Sequence, residues 1–373
     1  MSMDWRFFRN VLSKALLLFV VLNLLFAAWS PAGLGKISVY NALFPGRPRF
    51  PFGENPAQAY NLSLFNLDAM FASHEIAAGP KPADEYRVIL IGDSSAWGTL
   101  LRPEETLAGL LDAAHLTACD GRTVRVYNLG YPTISLMKDL MILSEAMRYQ
   151  PDLVVWPLTL EAFPTDKQLS SPIVSNNASR LQALIRTYNL PFDVNDPLLQ
   201  KPTFWNDTII GQRRDLADLA RLQLYGVLWA ATGVDQVYPT DYQHAQTDFD
   251  TDVSFHDQQP PKLDESRLAF EVIEAGVRVA GETPVLIVNE PMLISTGKNS
   301  ELRYNFFYPR WAYDQYRQMM AERSQQRGWK YLDLWDLVPA TEFTNSAIHM
   351  TVDGESLFAT RLGEAIRQET CPK

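Results

Sequence analysis

The sequence predicts an α/β domain built on a five-stranded parallel sheet and carried behind an N-terminal transmembrane helix. Three observations predict it. Five short apolar runs alternate with helical patterns, the first of these runs stops at a polar turn containing Ser94, and the chain opens on a long apolar segment. Strands joined by helices in this way pair in parallel, with right-handed crossovers and helices on both faces of the sheet.

The opening segment comes first. Ala15-Leu-Leu-Leu-Phe-Val-Val-Leu-Asn-Leu-Leu-Phe-Ala-Ala-Trp29 is interrupted only by Asn23. Counted from Val11, it reaches about a spanning length once Lys14 snorkels to the interface. Trp5 and Trp29 bracket it as interfacial aromatics do, and Arg6, Arg9 and Lys14 precede it. That charge bias keeps the N-terminus in the cytoplasm, so residues 11–29 contact the membrane and the main domain is extracytoplasmic. The alternatives are a cleaved signal peptide, for which Phe26-Ala-Ala-Trp-Ser30 is a poor small-x-small cleavage site, and a buried core helix, for which no partner pattern follows closely.

Residues 1–31 are thus the tip and anchor of a single-pass protein. Residues 32–83, rich in Pro, Gly, Ala and Asn without a sustained period, read as a tether. The domain is expected over 84–368. Its strands are Val88–Ile91, Val124–Tyr127, Leu153–Trp156, Val285–Val288 and Tyr331–Leu334. Helical patterns fall near 104–117, 135–149, 264–280, 310–327 and 352–367. The long gap between the third and fourth strands holds a largely helical insertion at about 164–262. Its middle, Leu216–Ala231, has apolar residues at helical spacing. The favoured reading there is a helix packed on the domain; the alternative is a lid, or a surface that meets membrane or partner.

Composition narrows the function. A net charge of −10 argues against nucleic acid as a partner. The first strand-to-helix turn has neither Gly-x-Gly-x-x-Gly nor Gly-x-x-x-x-Gly-Lys, so it does not cradle a nucleotide, and no cofactor is expected. His74, His115, His244 and His256 lack companions at metal spacing, so no metal site is expected and these histidines read as structural or solvated. Cys119 and Cys371 read as unrelated buried thiols, with pairing as the alternative if the domain lies outside the cytoplasm. Arg303–Arg317, dense in aromatics and arginine, is either a substrate-lining loop or a packing segment.

Chemistry concentrates at strand ends. Gly92-Asp93-Ser94 follows the first strand, where amide groups and a helix dipole favour negative charge. Asn128-Leu-Gly130 follows the second strand, and Gly130 there can present its N–H without a side chain in the way. His349 lies in Thr344-Asn-Ser-Ala-Ile-His-Met-Thr-Val-Asp-Gly354, just before the last helix. A serine hydroxyl needs a base, and imidazole is the usual one. Ser94 and His349 are therefore the candidate catalytic pair. The Ser94 and Gly130 amides are the candidate oxyanion hole, and Asp93 is a site-lining candidate.

These three blocks, in this order, resemble the SGNH (GDSL-type) hydrolase superfamily over residues 86–368, the insertion excepted. The resemblance implies a three-layer α/β/α flavodoxin-like sandwich and serine ester hydrolysis or acyl transfer. It further implies an acyl-ester or glycan substrate at the cell surface and a membrane acyltransferase as partner. Two departures stand out. The family's third block carries an oxyanion-binding Asn, whereas Pro157–Phe163 has none; Thr159 or Glu161 stands there, and an ionised Glu161 would repel the developing charge. The family's acid lies three residues before the histidine, which here is Ser346, with Asn345 beside it. Glu290 and Asp353 are the other candidates for the third member. The alternative function is a catalytically inactive module of this type that binds a glycan or a membrane partner.

Overall fold

A computed structural model describes residues 5–29, 34–39, 41, 43, 44, 46–50, 66–199, 203–232 and 242–371. Parts of the expected tip, tether and insertion (1–4, 51–65 and 233–241) lie outside these. The apolar opening forms α1, Trp5–Trp29, with only Asn23 and Ala27 buried. Among the described residues it is the one helix long and apolar enough to cross a membrane.

Next come α2 (Leu67–Ser73), β1 (Glu85–Leu90) and the single-turn α3 (Ser94–Trp97). α4 (Leu107–Ala113), β2 (Thr123–Asn128), α5 (Leu136–Ala146) and β3 (Leu153–Leu158) follow. The insertion contributes α6 (Pro172–Asn176), α7 (Ala178–Tyr188) and α8 (Arg213–Thr232). α9 (Phe270–Ala280), β4 (Val285–Asn289), α10 (Arg310–Arg327), β5 (Lys330–Asp333) and α11 (Val352–Glu369) complete the domain.

All five strands run parallel in the order β2-β1-β3-β4-β5. Successive strand residues face opposite sides, and the apolar content divides accordingly. Ile89, Val154, Trp156 and Ile287 pack with α5, α9 and α10 on one face, through Leu140, Ile273 and Tyr316. Val88, Val126, Val155 and Val288 pack with α4 and α11 on the other, through Leu111 and Leu362. The result is the expected three-layer sandwich. The strand order reverses between β1 and β3, so the crevice at their carboxyl ends is where such a sheet offers a site.

Two expectations fail. Residues 66–77, expected within the tether, belong to the core: Leu67, Met70, Phe71 and Ile76 are buried with Phe50 in the same cluster as α5. Arg49 likewise lies buried, stacked on Trp97 at 3.9 Å and donating to the Trp97, Gly98 and Leu101 carbonyls. A helix of one or two turns is too short to advertise a period, which is why this packing left no pattern in the sequence.

The cysteines are the second correction. Cys119 and Cys371 form a disulfide across 252 residues, with Cα atoms 5.1 Å apart. It pins the end of α11 to the turn before β2, where the Cys119 N–H also donates to Thr370 Oγ1 at 3.2 Å. A cross-link closing so long a loop restricts the unfolded chain by roughly 5–6 kcal/mol in the entropic account. Cys119→Ser is therefore expected to lower the melting temperature by roughly 10 °C. Thermal denaturation with and without reductant checks this: the variant should melt like the reduced wild type.

Candidate active site

The Ser94 turn is built from close backbone packing. Gly92 has φ +153, and a Cβ there would meet the Ala96 Cβ at 2.9 Å. Asp93 caps α3, its carboxylate accepting the Ser95 N–H at 2.9 Å. Ser94 thus sits at the first position of a helix with its hydroxyl half-exposed, and its N–H has no acceptor among the described residues.

Folding brings His349 to it. Nε2 of His349 lies 2.7 Å from Ser94 Oγ, although 255 residues separate them. The histidine rides a tight loop in which the Thr344 N–H donates to the His349 carbonyl at 2.8 Å. The Leu293 N–H ties the same loop to the segment after β4 through the Ala347 carbonyl at 2.7 Å. On the far side of the ring, Nδ1 is 2.7 Å from Asn345 Oδ1. Because the amide oxygen can only accept, Nδ1 carries the proton and Nε2 is free to accept from the serine hydroxyl. Burial pushes the imidazole pKa down to about 4, so the ring is neutral at physiological pH.

Of the candidates for the third member, only Asn345 meets the ring. Glu290 is buried at the end of β4 and instead accepts a hydrogen bond from Ser95 Oγ. Asp353 stands exposed in the first turn of α11, where its charge suits the helix dipole. Ser346 is half-buried, and the imidazole nitrogens bond to Asn345 and Ser94 rather than to it.

Gly130 departs from expectation. Its N–H already donates to Asn128 Oδ1 at 3.0 Å, so it is not a free oxyanion donor in this arrangement. Glycine is required there for packing: a Cβ would lie 2.5 Å from the Trp97 nitrogen in α3. Thr159 is fully buried and donates to the Tyr308 hydroxyl at 2.8 Å, which also takes the Glu161 N–H at 3.2 Å. The Glu161 carboxylate is paired with Lys167 and with His256 Nε2 at 3.1 Å. Burial alone would raise its pKa, but the His256 hydrogen bond and the Lys167 charge outweigh it and hold the carboxyl below its usual range. Its negative charge is therefore compensated by the Lys167 cation and by the hydrogen bond to His256.

Sequence reasoning missed two buried ionisable groups, Lys138 and Glu355. Lys138, fully buried on α5, donates to the Gly92 carbonyl at 2.5 Å and the Tyr131 carbonyl at 3.0 Å, and pairs with Asp139. It thereby staples the Ser94 turn to the loop after β2. Burial, reinforced by the neighbouring Asp93 charge, raises the Glu290 pKa far above the carboxylate range, and burial holds Glu355 at about 8. These acids are kept neutral by their surroundings. Lys138 lies in an unbroken helical pattern, where a lysine reads as solvated. The Arg303–Arg317 segment is packing: Tyr308, Tyr313 and Tyr316 are fully buried, and Arg303 ties down the Asp252 carbonyl at 2.8 Å.

No family model matches the chain, and no curated protein does. Solved structures similar to it include three bacterial proteins. A member of the lipolytic G-D-S-L family from Veillonella parvula is 10% identical, with 74% of this chain and 96% of that one covered at a TM-score of 0.35. A carbohydrate acetylesterase family member from Sinorhizobium meliloti is 13% identical, covering 76% and 98% at 0.34. An acetylxylan esterase from Geobacillus stearothermophilus, solved as a catalytic mutant, is 13% identical, covering 77% and 95% at 0.36. At this distance the likeness speaks to neither activity nor substrate.

Proposed function

We propose that this chain is a membrane-anchored serine esterase or O-acyltransferase of the SGNH type, acting outside the cytoplasm on an ester of a cell-surface glycan or lipid. The observation that carries the reading is the Ser94–His349–Asn345 relay, with both bonds at 2.7 Å. Ser94 Oγ attacks the acyl carbonyl while its proton passes to His349 Nε2. The oxyanion forms beside the Ser94 N–H at the start of α3, where the helix dipole also favours it. Collapse breaks the bond to the leaving alkoxide, which takes the proton from Nε2 and departs as an alcohol. Water or a sugar hydroxyl then attacks the acyl-serine, giving up its proton to the same nitrogen; collapse of this second adduct breaks the bond to Ser94 Oγ, which takes the proton back from Nε2 as the acid or new ester leaves.

Asn345 fixes the tautomer but lends no charge to the imidazolium that forms. An acidic neighbour is the usual remedy. Asn345→Asp is accordingly expected to raise the His349 pKa by about 1–3 units and to increase kcat at pH 8 roughly 10-fold. A pH–rate profile reads both effects; an unmoved acid limb would show that Asn345 does not bear on the ring.

The anchor supports the location. α1 measures about 37 Å at 1.5 Å per residue, enough for a hydrocarbon core of about 30 Å. The Cys119–Cys371 bridge belongs to an oxidising compartment, as an extracytoplasmic domain requires. Partnership with a membrane acyltransferase would follow if the acceptor is a sugar rather than water. A fluorophosphonate probe with peptide mapping tests the activity: the label should sit on Ser94, whereas an inactive binding module would fold normally and take up none.

A further inference from the structure

We infer that residues 203–228 of the insertion form a second membrane-contact element, seated in the outer leaflet against α1; this rests on reading α1 as a membrane span. Contact with α1 comes first. Phe19, Val20, Asn23 and Leu24 share a groove of about 510 Å³ with the 205–213 segment. Asn23, the polar break in the apolar run, is buried there. Its amide donates to the Phe19 carbonyl at 2.9 Å, and its Oδ1 accepts the Ile210 N–H at 3.3 Å. In hydrocarbon no water is at hand, so a polar side chain must find such a partner within the protein. Asn23 lies six residues before Trp29, about 9 Å along the helix. The segment that meets it therefore reaches below the level at which α1 leaves the bilayer.

The surface beside this contact has the matching chemistry. Trp205 is 72% exposed, Leu224 73% and Leu228 59%, with Phe204, Ile209 and Ile210 also exposed. So large a set of bare apolar side chains on one element marks a contact surface. One side of α8 packs on the domain, with Gly226 buried and Val227 against the core cluster, while its outward side carries Leu224, Tyr225 and Leu228, at neighbouring positions along one stripe. Arg213, Arg214 and Arg221 stand in the first half of α8, spaced to meet lipid phosphates. A second tie fixes the geometry beyond the membrane exit of α1. The Gln223 side chain donates to the Ile37 carbonyl at 2.8 Å and accepts the Val39 N–H at 2.5 Å. An element bonded both to the membrane helix and to the chain leaving it faces acyl chains before any soluble partner.

Because both native cysteines are in the bridge, an introduced cysteine is the sole free thiol among the described residues. The full chain is reconstituted in phosphatidylcholine–phosphatidylglycerol vesicles with a nitroxide at Leu17→Cys, Ile209→Cys, Leu224→Cys or Arg361→Cys. Oxygen, which concentrates in lipid, should relax the spins at 17, 209 and 224 more than a water-soluble nickel chelate does, with the reverse at 361. A lipid signature at 17 beside an aqueous one at 209 and 224 overturns this inference and leaves the anchor standing. An aqueous signature at 17 removes the anchor reading and this one with it. Shielding of 209 and 224 from both reagents, with spin–spin broadening, overturns it in favour of a second copy of the chain.

Discussion

Substituting Ser94 by alanine is expected to abolish fluorophosphonate labelling and to lower kcat for an acetyl ester by about 10⁴-fold or more, the scale lost when a serine nucleophile is removed. The whole acyl-transfer path runs through Oγ, whereas an electrostatic role would lose less. The substitution should leave the fold intact. Ser94 is half-exposed, and among the described residues its hydroxyl bonds only to His349. The turn is held instead by Asp93, Gly92 and Lys138 through contacts that alanine keeps. Activity assays paired with a melting curve check the prediction. Retained turnover in a stable variant would move the nucleophile elsewhere, for which the buried Ser95, bonded to Glu290, offers no exposed alternative.

How far the site was legible follows from which interactions are local. Ser94 and His349 were readable because each ends an element whose type the sequence announces: β-branched residues running into Gly92-Asp93, and a loop running into the Thr351-capped α11. Parallel pairing then forces those ends to one side of the sheet. The choice of Asn345 over Ser346, Glu290 or Asp353 was not readable. It depends on the direction of one side chain in a loop closed by Thr344 and Ala347, which neither period nor propensity encodes. The disulfide was hidden for a related reason, since its halves lie 252 residues apart and meet only once α11 packs along α4. Lys138 and Glu355 follow helical spacing yet are both buried, Lys138 against the Gly92 and Tyr131 carbonyls, against the habit of charged residues. Gly130 was legible as a required glycine but misread in cause: the close approach is to α3, and its amide serves Asn128.

Replacing His349 by alanine carries the second large effect, a fall in kcat of about 10⁴-fold, the upper range for losing a general base. Its pH signature separates catalysis from scaffolding. In the wild type the base must be neutral, and burial has pushed its pKa from 6.5 down to about 4. Activity should accordingly stay on its plateau from neutral pH to about pH 5 and fall below about 4, whereas an ordinary histidine would already be half-protonated near 6.5. The residual rate of the variant should lose that acid limb. The same shift makes the histidine's contribution to stability pH-dependent. Between 6.5 and 4 the unfolded chain binds a proton that the folded ring refuses, so the protein loses stability as pH falls through that window, and the variant is spared the His349 part of the loss. At neutral pH the melting temperature should change by only a few degrees, because among the described residues the ring nitrogens bond only to Ser94 and Asn345. A variant that melts far below wild type would recast His349 as a structural residue of the loop. An acid limb that persists without it would assign the base to another group.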